Sequence, residues 1–283
     1  MQNRPHPYVP ALLTLVLVCS PHPAAAVPDA LAVQQQLAAR AGQLRASGGV
    51  HLEGLAVASG GLLPDFYAAR NYAPVWTEPG RIDELLSLLA TAEAHGLDSE
   101  DYYLSPLKAM RQRVSQSDDA ALTASFDLLL TESLIRFGYH QRFGKVNPQR
   151  IEPTWNFTRQ FRPGQAPLPT LTDAVAAPSL AGFLGQWLDR APLYKTLQDR
   201  LADYRGLAVL GGWPTLPDGP ALKPGGTDSR LPMLRARLVI SGDLPRTAVA
   251  AGVYSDELAN GVRHFQERHG LAPDGVLGGR TLA

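Results

Sequence analysis

Apolar side chains recur at helical spacing through long stretches of this chain. Residues 81–95 carry one such stripe, which comprises Ile82, Leu85, Leu86, Leu89 and Ala92, and Gly96 follows as a stop signal. A second stripe follows the acidic pair Asp118-Asp119, and it comprises Leu122, Phe126, Leu129, Leu130, Leu134 and Phe137. Spacings of three and four residues predict an amphipathic helix in each place.

The rest of the central region also favours helices over strands. Ser105-Pro106 predicts the cap and first position of a short helix that ends at Val114. Residues 178–204 predict one or two more helices. The prolines within residues 144–170 exclude a long helix there, and no run of alternating residues predicts a strand. We therefore expect a mainly α fold.

The C-terminal segment carries a further set of helix signals. Leu231, Leu234 and Leu238 form one stripe, and Ser255 can cap a helix whose apolar face runs over residues 258–265. These two helices are expected to pack on each other.

Turn signals follow the second of these helices. Gly270 stands where a helix ends in the left-handed conformation. Asp274-Gly275 predicts a tight turn, after which Val276 is expected to point inward. Residues 278–281 are expected to begin a third helix.

The first 26 residues have the order of a secretory signal. Arg4 is the only charged residue before the apolar run of residues 11–18, and Ala24-Ala25-Ala26 follows as a cleavage site. That run is too short to span about 30 Å of hydrocarbon. We expect cleavage after Ala26, and therefore an exported, periplasmic product without a membrane span.

Composition narrows the possible functions. Residues 1–26 contain one basic residue and no acidic one, so the rest of the chain carries 25 basic and 26 acidic side chains. A nearly neutral chain of this kind gives no electrostatic basis for nucleic-acid binding. The sole cysteine, Cys19, lies in the leader, so the mature chain has no thiolate. His264 and His269 are not at the i, i+4 spacing of a zinc pair. We expect no metal, no cofactor and no catalytic residue in this chain.

The run from Phe265 to Leu282 resembles the small three-helix peptidoglycan-binding module. The pattern F-Q-x-x-x-G-L-x-x-D-G-x-x-G-x-x-T is matched at every fixed position. The resemblance implies peptidoglycan as the partner, through either its glycan strands or its stem peptides. The glycines and the Asp-Gly turn of this pattern specify a fold more than a ligand contact.

Upstream, several stretches of the chain carry a second resemblance. They are Phe66–Arg70 with Trp76, His95–Asp98 with Tyr102, Phe126–Thr131, Gly144–Pro148 with Trp155, Gly211–Pro214, Arg230, Leu234–Leu238 and Gly242-Asp243. Together they are similar to the scaffold region of the large murein L,D-transpeptidases. Such enzymes attack a tetrapeptide stem with a cysteine thiolate, and the resemblance implies other cell-wall synthesis proteins as partners. The catalytic domain of the family, with its cysteine and nearby histidine, is not found in this sequence.

These features predict five consecutive regions. The sequence stops at Ala283 inside the first turn of the third helix, which we interpret as a module whose third helix is cut short. The predicted regions are a signal peptide (1–26), a loosely tied N-terminal helix with a linker (27–61), a helical scaffold domain (62–210), a Gly- and Pro-rich boundary (211–228) and the peptidoglycan-binding domain (229–283).

Candidate ligand contacts lie in the module. Stem peptides carry free carboxylates, which guanidinium groups bind in bidentate geometry. The module also offers Arg230, Arg237 and Arg280. The four tryptophans, Trp213 among them, are expected first to pack within the scaffold and only second to stack on glycan. The predicted peptidoglycan-binding residues are Arg235, Arg263, Gln266, Arg268, His269 and Asp274.

Two other functions remain open. Lytic transglycosylases use a helical glutamate followed by serine as a general acid, and Glu132-Ser133 matches that dipeptide. Such chemistry needs a carboxyl group in a walled cleft, and the other motifs of that family are not found here. In the remaining alternative, the chain is a structural scaffold that does not bind the wall.

Overall fold

The structure is a computed structural model that describes residues 28–47, 49–57, 59–156, 159–161, 166–188, 192–246 and 252–283. The predicted signal peptide, with Cys19, lies outside these residues. The chain divides into two compact units, residues 1–189 and 190–283. Helices dominate the described part of each unit, so the prediction of a mainly α fold is confirmed. Within this described part, no helix has both the length and the apolar character that a membrane crossing requires.

Helices and one hairpin build the described part of the first unit. Short 3₁₀ helices at Thr91–His95, Ser99–Tyr102 and Pro148–Arg150 connect them. The elements are α1 (Ala30–Ser47), β1 (Val50–Leu52), β2 (Leu55–Val57), α2 (Leu62–Ala69), α3 (Pro79–Ala90), α4 (Leu104–Val114), α5 (Ala120–Phe143), α6 (Pro167–Ala176) and α7 (Leu180–Trp187).

Helix α5 is the central element of the first unit. Asp119 caps it, because its carboxylate accepts hydrogen bonds from the backbone N–H groups of Ala121 (2.7 Å) and Leu122 (3.1 Å). Every side chain from Ala124 to Leu134 is buried. A helix that is enclosed all round belongs to the interior of its domain, and α1, α3 and α4 pack around it.

One buried carboxylate joins α5 to the segment after α2. Asp127 is 3% exposed and accepts hydrogen bonds from the backbone N–H groups of Val75 (3.0 Å) and Trp76 (2.8 Å) and from the Tyr67 hydroxyl (2.5 Å). The Trp76 indole N–H donates to Thr131 at 2.9 Å. Burial raises the pKa of Asp127 to about 6, although these hydrogen bonds oppose the shift.

The N-terminal region is packed on the rest of the first unit, whereas the sequence predicts a loosely tied helix with a linker. Helix α1 buries an apolar stripe that includes Val33 and Leu37, and it packs on α2 and α5. The strands β1 and β2 then form an antiparallel hairpin, which turns at Glu53 and Gly54 with φ of 50° and 81°. Strands of three residues are too short to show alternation, so the sequence pattern does not reveal them.

One local feature differs from the sequence prediction, and one helix begins at the end of the proline-rich stretch. Helix α4 begins one residue before Ser105, after Tyr103 in the left-handed conformation (φ 60°), so Ser105 is not its cap. The Ser105 hydroxyl instead donates to Glu100 at 2.7 Å. Helix α6 lies in the proline-rich stretch and begins at Pro167. Proline is tolerated there because the N–H groups of a first turn have no intrahelical acceptor.

The second unit contains, in its described residues, α8 (Pro192–Val209), α9 (Leu231–Ile240), α10 (Asp256–Arg268) and α11 (Gly279–Leu282). The predicted stripes of α9 and α10 are confirmed, since Leu234, Leu238, Leu258 and Val262 are buried in one apolar core. The inward residue after the Asp-Gly turn is Leu277, which is 2% exposed, and not Val276.

The Gly- and Pro-rich segment before α9 contributes to the same core. Leu222 is buried and exchanges backbone hydrogen bonds with Leu277 (3.1 and 3.0 Å). Gly225 N–H donates to the Tyr254 carbonyl, and Tyr254 N–H donates to the Gly226 carbonyl, both at 2.8 Å. These backbone pairs fix the segment against the residues that precede α10 and α11.

Candidate functional site

Gln266 organises the C-terminal part of the module. The side chain is 2% exposed, and its Oε1 accepts a hydrogen bond from the Gly275 N–H at 2.8 Å. Its Nε2 donates to Asp274 (2.8 Å), to the Val276 carbonyl (3.1 Å) and to Thr281 (3.1 Å). One amide thus ties α10 to the Asp-Gly turn and to α11.

The backbone conformation explains why two positions of the motif are glycine. Gly270 has φ +68° directly after the helix end at His269, as the sequence predicts. Gly275 has φ +71°, and an added Cβ would lie 3.0 Å from Arg263 Nε and 3.3 Å from the Ala259 carbonyl oxygen. A side chain at Gly275 is therefore excluded both by the backbone conformation and by space.

A half-buried ion pair connects α10 to the end of α9. Arg268 donates to Asp243 through Nη2 (2.7 Å) and Nε (3.1 Å), and the Ser241 hydroxyl donates to the same carboxylate at 2.6 Å. Burial by itself would raise the pKa of Asp243, but the hydrogen bonds from Arg268 and Ser241 outweigh it and hold the pKa below its usual range.

A groove of about 460 Å³ lies beside these contacts, and we call it the C-terminal groove. The Arg237 guanidinium lies 4.1 Å from the centre of the Trp213 ring, and His269 stacks on Phe265 with ring centres 4.2 Å apart. Arg280 of α11 also lines the groove. Leu282 and Ala283, the last two residues of the chain, line it as well, and no aspartate or glutamate side chain is among the described lining residues. The groove therefore combines aromatic faces with positive charge.

The six predicted ligand residues do not form one cluster. His269 lines the C-terminal groove, whereas Gln266 is buried within the module. Arg268 is paired with Asp243, as described above. Asp274 is exposed and accepts from the Val276 N–H at 2.8 Å and from Gln266, and these two hydrogen bonds hold its pKa below the usual range.

The two remaining predicted arginines lie outside the C-terminal groove. Arg263 donates to Asn260 at 2.6 Å. Arg235 is half-buried, and its Nη1 is buried without a hydrogen-bond partner in the described structure. The groove instead adds Arg237 and Arg280 to His269. Their grouping was not visible in the sequence, because Trp213, on which Arg237 lies, comes from the segment predicted to be a boundary.

A second concavity, of about 530 Å³, lies in the first unit, and we call it the scaffold cleft. Its walls are mainly apolar side chains of α5, α6 and α7. Glu132 lines it but is only 1% exposed. One of its carboxylate oxygens is 3.2 Å from Arg136, and the other accepts a hydrogen bond from Ser59. Both oxygens are therefore already engaged within the unit.

A metal centre has no ready ligand set in the part of the chain that the structure describes, because no three His, Cys, Asp or Glu residues cluster there.

Comparisons with protein families divide the chain in two. Residues 61–201 match the family model of a scaffold domain, and residues 227–283 match the model of a peptidoglycan binding domain. A search of curated proteins finds no match. The second family match includes the Gln266 contacts and most of the C-terminal groove. Together these findings support a peptidoglycan-binding region and an association of the chain with the cell wall.

Proposed function

We propose that this chain is the exported, peptidoglycan-binding scaffold region of an L,D-transpeptidase-type cross-linking protein. In this proposal, residues 1–26 direct export to the periplasm, and residues 62–210 form the scaffold domain. Residues 229–283 hold the protein on the wall. Arg235, Arg263, His269 and Asp274 are the proposed ligand contacts, and Gln266 and Arg268 support them through their contacts within the module. A catalytic domain outside these 283 residues would supply the cross-linking chemistry.

The observation that carries the proposal is the match of residues 227–283 to a peptidoglycan binding domain. The transpeptidase part rests on the sequence resemblance of the scaffold region. A binding module raises the local concentration of an attached enzyme at its polymeric substrate. This is the physical benefit that such an arrangement would give.

The second candidate is a glycan-cleaving enzyme that uses Glu132. The position of Glu132 in the wall of the scaffold cleft favours this candidate. A general acid must deliver a proton to the glycosidic oxygen. The ion pair with Arg136 and the hydrogen bond from Ser59 occupy both carboxylate oxygens of Glu132. These contacts favour a structural role for Glu132 in the first unit.

Incubation of the purified chain with isolated sacculi distinguishes the candidates. The proposal predicts that the chain sediments with sacculi and releases no soluble muropeptides. Release of muropeptides that is lost in Glu132→Gln would support glycan cleavage instead. A chain that stays in the supernatant would support a scaffold that does not bind the wall.

Export is tested separately by expression of the chain in a bacterial host. We expect a periplasmic product whose N-terminus begins after Ala26, as read by N-terminal sequencing. An uncleaved product in the cytoplasm would contradict the export proposal and leave the binding proposal untouched.

A further inference from the structure

Three large apolar side chains of the first unit are exposed within residues 146–155. Val146 is 60% exposed, Ile151 is 75% exposed and Trp155 is 52% exposed. They belong to the loop that follows α5, in which Pro148–Arg150 forms a 3₁₀ helix. Exposed apolar side chains that are grouped in this way mark a surface that contacts a partner or a membrane.

Basic side chains are interspersed with these apolar ones. Residues 142–162 contain five basic side chains and one acidic side chain, although the whole chain has no net charge. Lys145, Arg150 and Arg159 line a hollow of about 410 Å³ together with Val146 and Ile151. Cationic and apolar side chains thus surround the same hollow, and we call these five side chains the loop surface.

The cations of the loop surface leave an excess of positive charge. Arg150 is exposed and makes no hydrogen bond or ion pair with another residue that the structure describes. Lys145 pairs with Asp101 at 2.5 Å, but its side chain is still half exposed. Glu152, the acidic residue of this stretch, accepts hydrogen bonds from the Thr154 backbone N–H (3.3 Å) and hydroxyl (2.7 Å).

The third cation, Arg159, holds the loop against α5. Its Nη2 donates to the Gly144 carbonyl at 3.0 Å, and its guanidinium lies 5.7 Å from the centre of the Tyr139 ring. Tyr139 in turn contacts Phe143, with ring centres 4.9 Å apart. Because α5 is the central helix of the first unit, the loop surface has a fixed base, and less conformational freedom is lost when it binds.

This combination of side chains matches an anionic lipid bilayer. Each Lys or Arg near a layer of anionic headgroups strengthens binding about fivefold. Tryptophan favours the interface between headgroups and acyl chains, and aliphatic side chains favour the acyl side of it. A soluble anion would need only the cations, and an apolar groove of a protein would need only the apolar side chains.

We propose that the loop surface, together with Trp155, docks the protein peripherally on a membrane that carries anionic phospholipid. Lys145 and Arg150 contact the phosphate groups, while Val146, Ile151 and Trp155 enter the boundary between headgroups and acyl chains. This contact lies in the first unit, whereas the proposed wall contacts lie in the second, so the two proposals can fail separately.

Sedimentation of the purified chain with vesicles tests the proposal. One set of vesicles contains phosphatidylglycerol in phosphatidylcholine, and the other contains phosphatidylcholine alone. We expect saturable binding to the anionic vesicles that weakens as salt is added, and at least about tenfold weaker binding to the neutral ones. Acyl chains that carry bromine should quench the fluorescence of the parent more than that of Trp155→Phe, because Trp155 reaches the acyl boundary.

Variants at exposed positions assign the contact to the loop surface, and a melting curve establishes that each is folded. Arg150→Gln and Ile151→Ser are each expected to weaken binding to anionic vesicles about fivefold. Glu152→Gln is expected to strengthen it, because a negative charge beside the headgroups is removed. The matched controls are Lys108→Gln on α4 and Leu31→Ser on α1, which are exposed in the parent and are expected to bind as the parent does.

Several results would overturn the proposal. A folded parent chain that stays in the supernatant with both kinds of vesicle does not dock on membranes. Equal binding to anionic and neutral vesicles would refute the role of the cations. If Arg150→Gln and Ile151→Ser bind like the parent, or if the controls lose as much binding as they do, the loop surface is not the contact. Sedimentation with sacculi is a separate measurement, so each of these failures leaves wall binding untouched.

Discussion

Replacement of Gln266 by alanine tests whether one buried amide holds the module together. The change removes the acceptor of the Gly275 N–H (2.8 Å) and the donor to the Val276 carbonyl (3.1 Å) and to Thr281 (3.1 Å). The parent side chain is 2% exposed, so water does not readily replace these contacts.

The expected cost follows from the groups that lose their partners. A buried donor left without an acceptor costs about 1–3 kcal/mol, and each neutral hydrogen bond contributes about 0.5–1.5 kcal/mol net. We therefore expect Gln266→Ala to destabilise the second unit by about 2–4 kcal/mol, which is a large part of the stability of a small domain.

Amide hydrogen exchange measures this effect at the site itself. We expect the Gly275 amide of Gln266→Ala to exchange about 30-fold faster or more, and calorimetry to show a lower transition for the second unit. Glu267→Ala, an exposed change on the same helix, is the control and should alter stability by less than about 0.5 kcal/mol. Equal behaviour of the two variants would refute the structural role of Gln266.

Three further changes test the packing and the buried charges. Leu37→Ala, at a fully buried position of α1, should destabilise the first unit by about 2–5 kcal/mol in urea unfolding, whereas Leu31→Ala, 58% exposed in the parent, should have little effect. Because the folded-state pKa of Asp127 is raised to about 6, its contribution is complete at low pH and is lost as the pH rises. Relative to Asp127→Asn, the free energy of unfolding of the parent should fall by about 3 kcal/mol between about pH 4 and pH 6.5. If the free energies of unfolding of the two proteins change in parallel with pH, this assignment is wrong. The pKa of Asp243 is lowered instead, so the parent should lose stability relative to Asp243→Asn as the pH falls into the acid range, and a constant difference between the two would show that the Arg268 pair contributes nothing.

Features whose signal is local follow from the sequence. The apolar stripe of α5 lies within one helix and is buried as predicted, although the polar positions between Ala124 and Leu134 are buried as well, so the helix is not amphipathic there. The cap at Ser255 and the left-handed residue at Gly270 are confirmed, since each needs only its own neighbours in sequence.

Features that depend on distant residues were not predictable in this way. Leu277 replaces Val276 as the inward residue because Leu222 pairs with its backbone from before α9. The hairpin after α1 has strands of three residues, which carry no visible period. The C-terminal groove depends on Trp213, and its sequence neighbourhood resembles a linker rather than a site.

The most direct test of wall binding is a binding isotherm on purified sacculi. Increasing amounts of the parent chain are sedimented with a fixed amount of sacculi, and a melting curve establishes that the chain is folded. We predict saturable binding. A folded parent chain that remains in the supernatant at every concentration would contradict the proposal that this protein binds peptidoglycan.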